Sequence, residues 1–185
     1  MRSKAPRVLE IGEGEQLRIL APRHARRLHR LIAANRVSLA AWLPWAEGEV
    51  TLAEVRRYIA EQRRLAAATG AVTAGIWVEG TLAGVVALHR VKPAHAHASL
   101  GYWVDAGHRG TGLAGRSAAR LVRHAFADLR LHRLEIRCAA ENRASRAVAE
   151  RLGFILEGVL HDARLVGGRF HDEAVYGLLA PPAAS

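Results

Sequence analysis

The residues whose order could do chemistry lie between Leu100 and Gly115, in the stretch LGYWVDAGHRGTGLAG. An apolar-rich, strand-like run from Leu100 to Val104 breaks at Asp105. A turn-rich segment with Gly107, Gly110 and Gly112 follows, and a helix is predicted from Leu113. The first turn of a helix has four backbone N–H groups without intrahelical partners, and the macrodipole places partial positive charge there. Gly110, Gly112 and Gly115 remove the Cβ atoms that would keep an anion from that backbone. The chemistry predicted is the binding of a phosphate or pyrophosphate.

Several readings share these letters. Gly110 to Gly115 spell GxGxxG, the dinucleotide fingerprint. That reading expects the strand to run almost directly into the first glycine, and an acidic residue at the end of the next strand about 20 residues on. Here Asp105 to Arg109 intervene, and Glu135 sits inside Leu134-Glu135-Ile136. Too little chain follows for more alternating strands and helices. A glycine-rich turn that merely starts a helix is a second reading. The third uses Arg109 as well: Arg109-Gly110-Thr111-Gly112-Leu113-Ala114 resembles the R/Q-x-x-G-x-G/A pyrophosphate loop of the GNAT superfamily of N-acetyltransferases, which bind acetyl-CoA.

The elements that must position this loop can be read in order. Gln16 to Leu20 reads as a first strand, and Pro22 to Ala34 as a helix with Ala25, Leu28, Leu31 and Ile32 at helical spacing. A second short helix is expected to stop near Pro44. Thr51 with Glu54 three residues on forms a capping box for a helix to about Ala68. Strands are predicted over Ala71–Glu79, Thr81–Val91 and Ser99–Val104, then a helix to about Leu129 and a strand over Arg133–Ala139. Asn142 suits the N-cap of a helix over Arg143–Leu152, and Gly153 suits its C′ position. Two last strands, Phe154–Leu165 and Phe170–Leu179, meet at a Gly167-Gly168 hairpin turn. The order implies an α/β fold with a mixed sheet in one domain spanning residues 1–185, with 179–185 expected as a flexible tail.

Composition bounds the function. No apolar run approaches the roughly 20 residues needed to span a bilayer, and Met1-Arg2-Ser3-Lys4 has no apolar stretch behind it, so a cytoplasmic protein away from membranes is expected. Cys138 is the only cysteine, which excludes an internal disulfide and a cysteine-based zinc site, and its neighbours suggest a small buried strand residue. No metal is expected: His95 and His97 flank Ala96 with no third ligand in reach and read as solvated loop histidines. The formal charge is +10, and Lys4 and Lys92 are the only lysines. That field attracts anions such as CoA, acidic proteins or RNA. Without a basic stripe interleaved with aromatics, direct nucleic-acid binding is not expected.

Beyond the loop, the resemblance covers nearly the whole chain and is nearest to the ribosomal-protein N-acetyltransferases, the RimJ/RimL-like branch. Asn35-Arg36 through Trp42-Leu43-Pro44-Trp45 is similar to that branch's substrate-side helix pair. Leu100 to Val104 is similar to its central strand, and Glu141-Asn142-Arg143-Ala144-Ser145 through Arg151-Leu152-Gly153-Phe154 to its closing unit.

The resemblance implies a GNAT fold in which the central strand and the next one splay apart and hold the acetyl-pantetheine arm. It implies that the Val104 backbone bonds the arm, that amides from Arg109 through Gly115 hold the pyrophosphate, and that Asn142 contacts the pantetheine region. Many relatives place a tyrosine acid in N-x-x-A-x-x-x-Y-x-x-x-G-F; Ala149 stands there in this chain, and Ser145 is the substitute the branch suggests. Ser145 could equally be a capping serine in the first turn of its helix. Trp42, Trp45 and Trp103 read as core by default, with one of the first two lining the acceptor cleft.

No base is evident; Glu141, Glu157, Asp162 and His108 are candidates by neighbourhood only. An α-amine, with a pKa near 8, needs less help than a lysine near 10.4. The expected activity is acetyl-CoA-dependent acetylation of a primary amine by direct attack, with the N-terminal α-amine of a protein, such as a ribosomal protein, as acceptor. Acetylation of a small amine, antibiotic or metabolite, and a non-catalytic acyl-CoA-binding module are the alternatives. A monomer or homodimer is expected.

Overall fold

The computed structural model describes residues 8–182, and the sequence readings made on residues 1–7 and 183–185 lie outside them. The described residues form an eight-stranded sheet and four α-helices. The strands are β1 (Val8–Gly12), β2 (Glu15–Ile19), β3 (Val72–Val78), β4 (Thr81–Lys92), β5 (His97–Val104), β6 (Arg133–Ala139), β7 (Ile155–Val166) and β8 (Arg169–Leu179). The helices are α1 (Ala25–Ala40), α2 (Leu52–Thr69), α3 (Leu113–Ala127) and α4 (Arg143–Arg151). The spatial order is β1-β2-β3-β4-β5-β6-β8-β7, antiparallel except where β5 meets β6.

Local signals explain most elements. Thr51 Oγ1 accepts from the Glu54 N–H while the Glu54 carboxylate accepts from the Thr51 N–H, so the predicted capping box forms. Gly70 ends α2 in the left-handed region, and Gly167 and Gly168, both at positive φ, turn the last hairpin.

Three expectations are corrected. The sheet starts before Gln16: Val8–Gly12 pairs with β2, and its Glu10 and Gly12 obscure the alternation that buries Leu9. α1 is one helix to Ala40 and does not break after Ala34, because Leu28, Ile32, Asn35 and Leu39 fall on one buried stripe and Asn35 finds partners there. Leu179, expected to open the tail, closes β8, and the Ala180 N–H donates to the His132 carbonyl at 2.8 Å.

Two apolar layers flank the sheet. Leu88, Leu100, Ile136 and Tyr176 pack under α3 and α4, whereas Trp77, Val85 and Trp103 pack against α1 and α2. The buried tryptophan is Trp77; Trp42 and Trp103 are half-buried and Trp45 is 49% exposed. β5 pairs with β6 only over His97–Ser99 against Arg133–Glu135, and from Leu100 onward the two strands part. That splay, held open between two cores, is what positions the site.

Candidate active site

The gap leaves backbone groups of β5 without strand partners. The Asp105 N–H donates to the Ala83 carbonyl on the β4 side, at 2.7 Å. Backbone polarity alternates along a strand, so the amides and carbonyls of Leu100, Tyr102 and Val104 point into the gap. Val104 therefore stands where a hydrogen-bonding arm would meet it.

Beyond Val104, a short turn at Ala106–His108 leads to the glycine loop. Gly110 and Gly112 take φ of 75° and 80°, a region costly to any residue with a Cβ. Gly112 is the N-cap of α3, and Leu113, Ala114 and Gly115 form its first turn. The amides of Gly110, Thr111, Gly112, Ala114 and Gly115 have no partner among the described residues. They converge with the positive end of α3, a cradle whose chemistry fits a pyrophosphate. A Cβ on Gly110 or Gly115 would meet nothing within 4 Å, so the space above the loop is open. Arg109 is exposed beside it.

Two side chains that sequence reasoning passed over hold this loop. Arg116 donates to both carboxylate oxygens of Glu15 on β2, at 2.9 and 2.5 Å, and to the Thr111 carbonyl at 2.8 Å. Asn35 ties the entry of the loop to α1 through Asp105 and the Ala106 N–H.

Asn142 and Ser145 lie across the gap. Asn142 Oδ1 accepts from the Ser145 N–H at 3.0 Å and so caps α4, while its amide nitrogen has no partner among the described residues and lines the cavity. The cap thus uses one end of the side chain and leaves the other free. Ser145 does not cap. Its hydroxyl stands 3.4 Å from the Tyr102 hydroxyl, which donates to the Ser145 carbonyl at 3.1 Å. Burial pushes the Tyr102 pKa up to about 12, so its proton stays on. Cys138 is buried as expected; burial raises its thiol pKa and a hydrogen bond with Ser145 partly offsets this. Ala149, where a tyrosine acid stands in many relatives, is wholly buried.

One cavity of about 1440 Å³ joins all of this. It is lined by the glycine loop at one end and by Trp42, Trp45 and Tyr58 at the other. A single small-molecule pocket usually measures about 300–1,000 Å³. This one has room for two substrates meeting at the gap. Both Trp42 and Trp45 line it, where one was expected. A charged row runs along the same side: Glu135 to Arg137 at 2.6 Å, Arg137 to Glu173 at 3.3 Å, Glu173 to Arg164 at 3.0 Å, and Arg164 to the Trp42 carbonyl at 2.9 Å.

The four candidate bases are not brought together. Glu157 pairs with Arg133, Asp162 sits exposed in the irregular stretch of β7, and Glu141 is exposed beside His171. Only His108 lines the cavity, at its glycine-loop end and 3.5 Å from Asp105. His97 is not a loop residue: it opens β5, and its Nε2 is buried without a partner. Among the described residues, no cluster of three His, Cys, Asp or Glu side chains could hold a metal ion, and no helix is long and apolar enough to cross a membrane.

Comparison with known proteins agrees with this geometry. Residues 16–155 match the family model described as Acetyltransferase (GNAT) domain. The chain is 35% identical over 171 residues to the putative ribosomal N-acetyltransferase YdaF of Bacillus subtilis, covering 92% of this chain and 93% of that protein. It is 30% identical over 168 residues to the ribosomal-protein-serine acetyltransferase of Escherichia coli, covering 91% and 94%. Among solved structures it superposes on RimL, a ribosomal L7/L12 alpha-N-protein acetyltransferase in complex with coenzyme A, with a TM-score of 0.90 and 28% identity over 94% of this chain and 98% of that one. The splayed strands, the cradle of free amides and these matches together establish that the chain belongs to the GNAT acetyltransferase family and is an acetyl-CoA-dependent N-acetyltransferase.

Proposed function

We propose that this enzyme acetylates the N-terminal α-amine of a protein, with a ribosomal protein as the acceptor class. The observation that carries the reading is the single cavity that passes through the gap from the glycine loop to the tryptophan-lined mouth. An acetyl group delivered from one face of the sheet would there meet an amine entering from the other. The relatives that match nearly the whole chain are named for ribosomal proteins, and one for serine.

In this reading the free amides of Gly110, Thr111, Gly112, Ala114 and Gly115, beside Arg109, hold the pyrophosphate, with Thr111 and Ala114 contributing backbone alone, while the Leu113 N–H donates to Thr111 Oγ1 and steadies the loop. The gap-facing backbone of Val104 bonds the pantetheine arm, and the free amide end of Asn142 bonds it from the other side. These contacts place the thioester beside Ser145. The Ser145 hydroxyl hydrogen-bonds the departing sulfur, where negative charge develops as the carbon–sulfur bond breaks. Tyr102 is a positioning residue that fixes the first turn of α4 and with it Ser145.

The test is incubation with acetyl-CoA and a set of acceptors, read by mass spectrometry and free-thiol release. The acceptors are peptides beginning with serine or alanine, the same peptides with a blocked N-terminus and an internal lysine, and spermidine. Acetylation of the free α-amines is expected. Acetylation of spermidine alone would move the acceptor to the small amines, and acetyl-CoA binding without thiol release on any acceptor would make the chain a binding module.

A further inference from the structure

The acceptor side of the cavity contains one imidazole with no role so far. We propose that His89 is the base that takes the proton from the attacking amine, from the face of the sheet opposite Ser145. This rests on the acetyl-transfer reading above and supplies the proton acceptor that reading lacks.

Strand register places the ring. In the β4–β5 pair, His89 lies opposite Ser99 and Leu88 opposite Leu100. β5 leaves β6 just after Ser99, so His89 stands level with the point where the gap opens. Side chains alternate across a sheet. Val86, Leu88, Leu100 and Tyr102 point to the α3 and α4 side, and Val85 and Trp103 to the α1 and α2 side. His89 shares the parity of Val85, and Gly101 that of Trp103. His89 and Gly101 therefore face the acceptor, while Tyr102 and Ser145 face the sulfur.

The ring is seated in space that a glycine leaves. A Cβ built on Gly101 would stand 3.1 Å from His89 Nε2, so any larger residue there would press on the imidazole. The imidazole thus lies over the β5 backbone at the rim of the gap. It lines the cavity, and no hydrogen bond to it is formed by the described residues. Burial, and after it the charge of Arg90, holds the His89 pKa below the usual histidine value. A neutral imidazole has one lone pair ready to accept a proton.

The other ionisable groups on this side are occupied or unsuited. From α2, Glu54 is taken up by the Thr51 cap, and burial raises the pKa of Tyr58. From β6, Glu135 and Arg137 bind each other; from β8, Glu173 is held by Arg137 and by Arg164 of β7. Glu49, between α1 and α2, also lines the cavity but lies exposed to solvent, away from the β4–β5 pair. His89 is the group on the strand pair at the rim of the gap that is left to act.

The step balances with these residues. The amine nitrogen attacks the thioester carbon, an N–C bond forms and the C–S bond breaks. As the new bond forms the nitrogen's proton becomes acidic and passes to His89 Nε2. The electron pair of the C–S bond leaves on sulfur, which gains a proton from solvent by way of the Ser145 hydroxyl. The imidazolium then returns its proton to solvent, so amine and thioester become amide and thiol.

The experiment compares wild type, His89→Gln and Gly101→Ala, using acetyl-CoA and whichever acceptor in the set above turns over. With His89→Gln, kcat/KM for the acceptor is expected to fall by about 10²-fold, near the low end of the range for one acid–base group. The wild-type profile is expected to rise with a limb below the ordinary histidine value of about 6.5, and the variant to lack it and climb only toward the amine's own pKa near 8. Acetyl-CoA Kd is expected to stay unchanged in both variants, and kcat to fall in Gly101→Ala as the ring is displaced. A His89→Gln enzyme that keeps the wild-type rate and acid limb overturns the proposal. So does a loss that follows melting temperature or acetyl-CoA Kd alone. Absence of turnover in the wild type on every acceptor would instead overturn the transfer reading, and the base with it.

Discussion

Asn35, buried in the middle of α1, donates from its amide to Asp105 Oδ1 at 2.6 Å across 70 residues of chain. The same side chain donates to the Leu31 carbonyl at 2.9 Å and accepts from the Ala106 N–H at 2.9 Å. One amide thus joins the helix on the acceptor side to the segment that enters the glycine loop. A polar residue in a buried stripe is stabilising only when it is satisfied, and here it is.

Replacing Asn35 by leucine should leave Asp105 Oδ1 and the Ala106 N–H without their partner, costing about 1–3 kcal/mol. Melting temperature should fall and acetyl-CoA Kd should rise, because the loop entry loses its anchor. The pH dependence follows from Asp105. Its carboxyl is held below the usual aspartate range, first by the Asn35 hydrogen bond and then, against burial, by the Gly107 N–H and His108. A depressed folded pKa gives stability that is present above the unfolded value of about 3.9 and is lost as pH falls through the lower folded value. Wild type should therefore lose stability on acidification below about pH 4 more steeply than Asn35→Leu, measured by thermal melts across that window.

Gly112→Asp should weaken acetyl-CoA binding by roughly two orders of magnitude while the fold survives. The φ of 80° at this position strains any side chain, at a cost of roughly 1–2 kcal/mol. A Cβ there would stand 2.9 Å from Arg116 Nη1, the group that braces the loop. The new carboxylate would also repel the pyrophosphate. Calorimetric titration with acetyl-CoA and a melting curve measure the two effects separately, and unchanged affinity in a folded variant would place the phosphate elsewhere.

Ser145→Ala and Asn142→Ala should separate catalysis from capping. Asn142 carries the cap, so its loss should cost about 1 kcal/mol of stability. Ser145→Ala should barely move the melting temperature yet lower kcat by about 10–100-fold, at or below the low end for one acid–base group because CoA thiols leave readily. Acetyl-CoA Kd for Ser145→Ala should change little, since the hydroxyl acts on charge that develops in the transition state. A melting shift with wild-type kcat would return Ser145 to a structural role.

Tyr102→Phe removes the hydroxyl that bonds the Ser145 carbonyl. A few-fold fall in kcat with unchanged acetyl-CoA Kd is expected, smaller than for Ser145→Ala because the chemical group itself remains. Steady-state kinetics beside a binding titration test this, and an effect larger than that of Ser145→Ala would make the tyrosine the proton donor.

The sequence by itself determined the elements whose signals are local. The Thr51–Glu54 box, the strand Arg133–Ala139, the Asn142 cap and the Gly167-Gly168 turn each depend on residues a few positions apart, and each forms where it was read. The glycine loop was legible for the same reason, since free amides at a helix start follow from local chain geometry. Val8–Gly12 was not legible, because a short edge strand with Glu10 at its centre and glycine at its end shows little alternation until β2 pairs with it.

Only the tertiary structure decided which side chains meet. Asn35 stays inside α1 with Asp105 folded against it, and Ser145, which the sequence left as a catalytic group or a cap, has the Tyr102 hydroxyl, 43 residues earlier, beside its own. His89 gave no signal in the chain, since its place depends on the register that sets β4 against β5 and on the missing side chain of Gly101. Register is fixed by burial of whole strand faces against two cores, and a shift of one residue would turn His89 to the opposite side. Contacts of that kind belong to the packing of distant segments, which no local run of residues encodes.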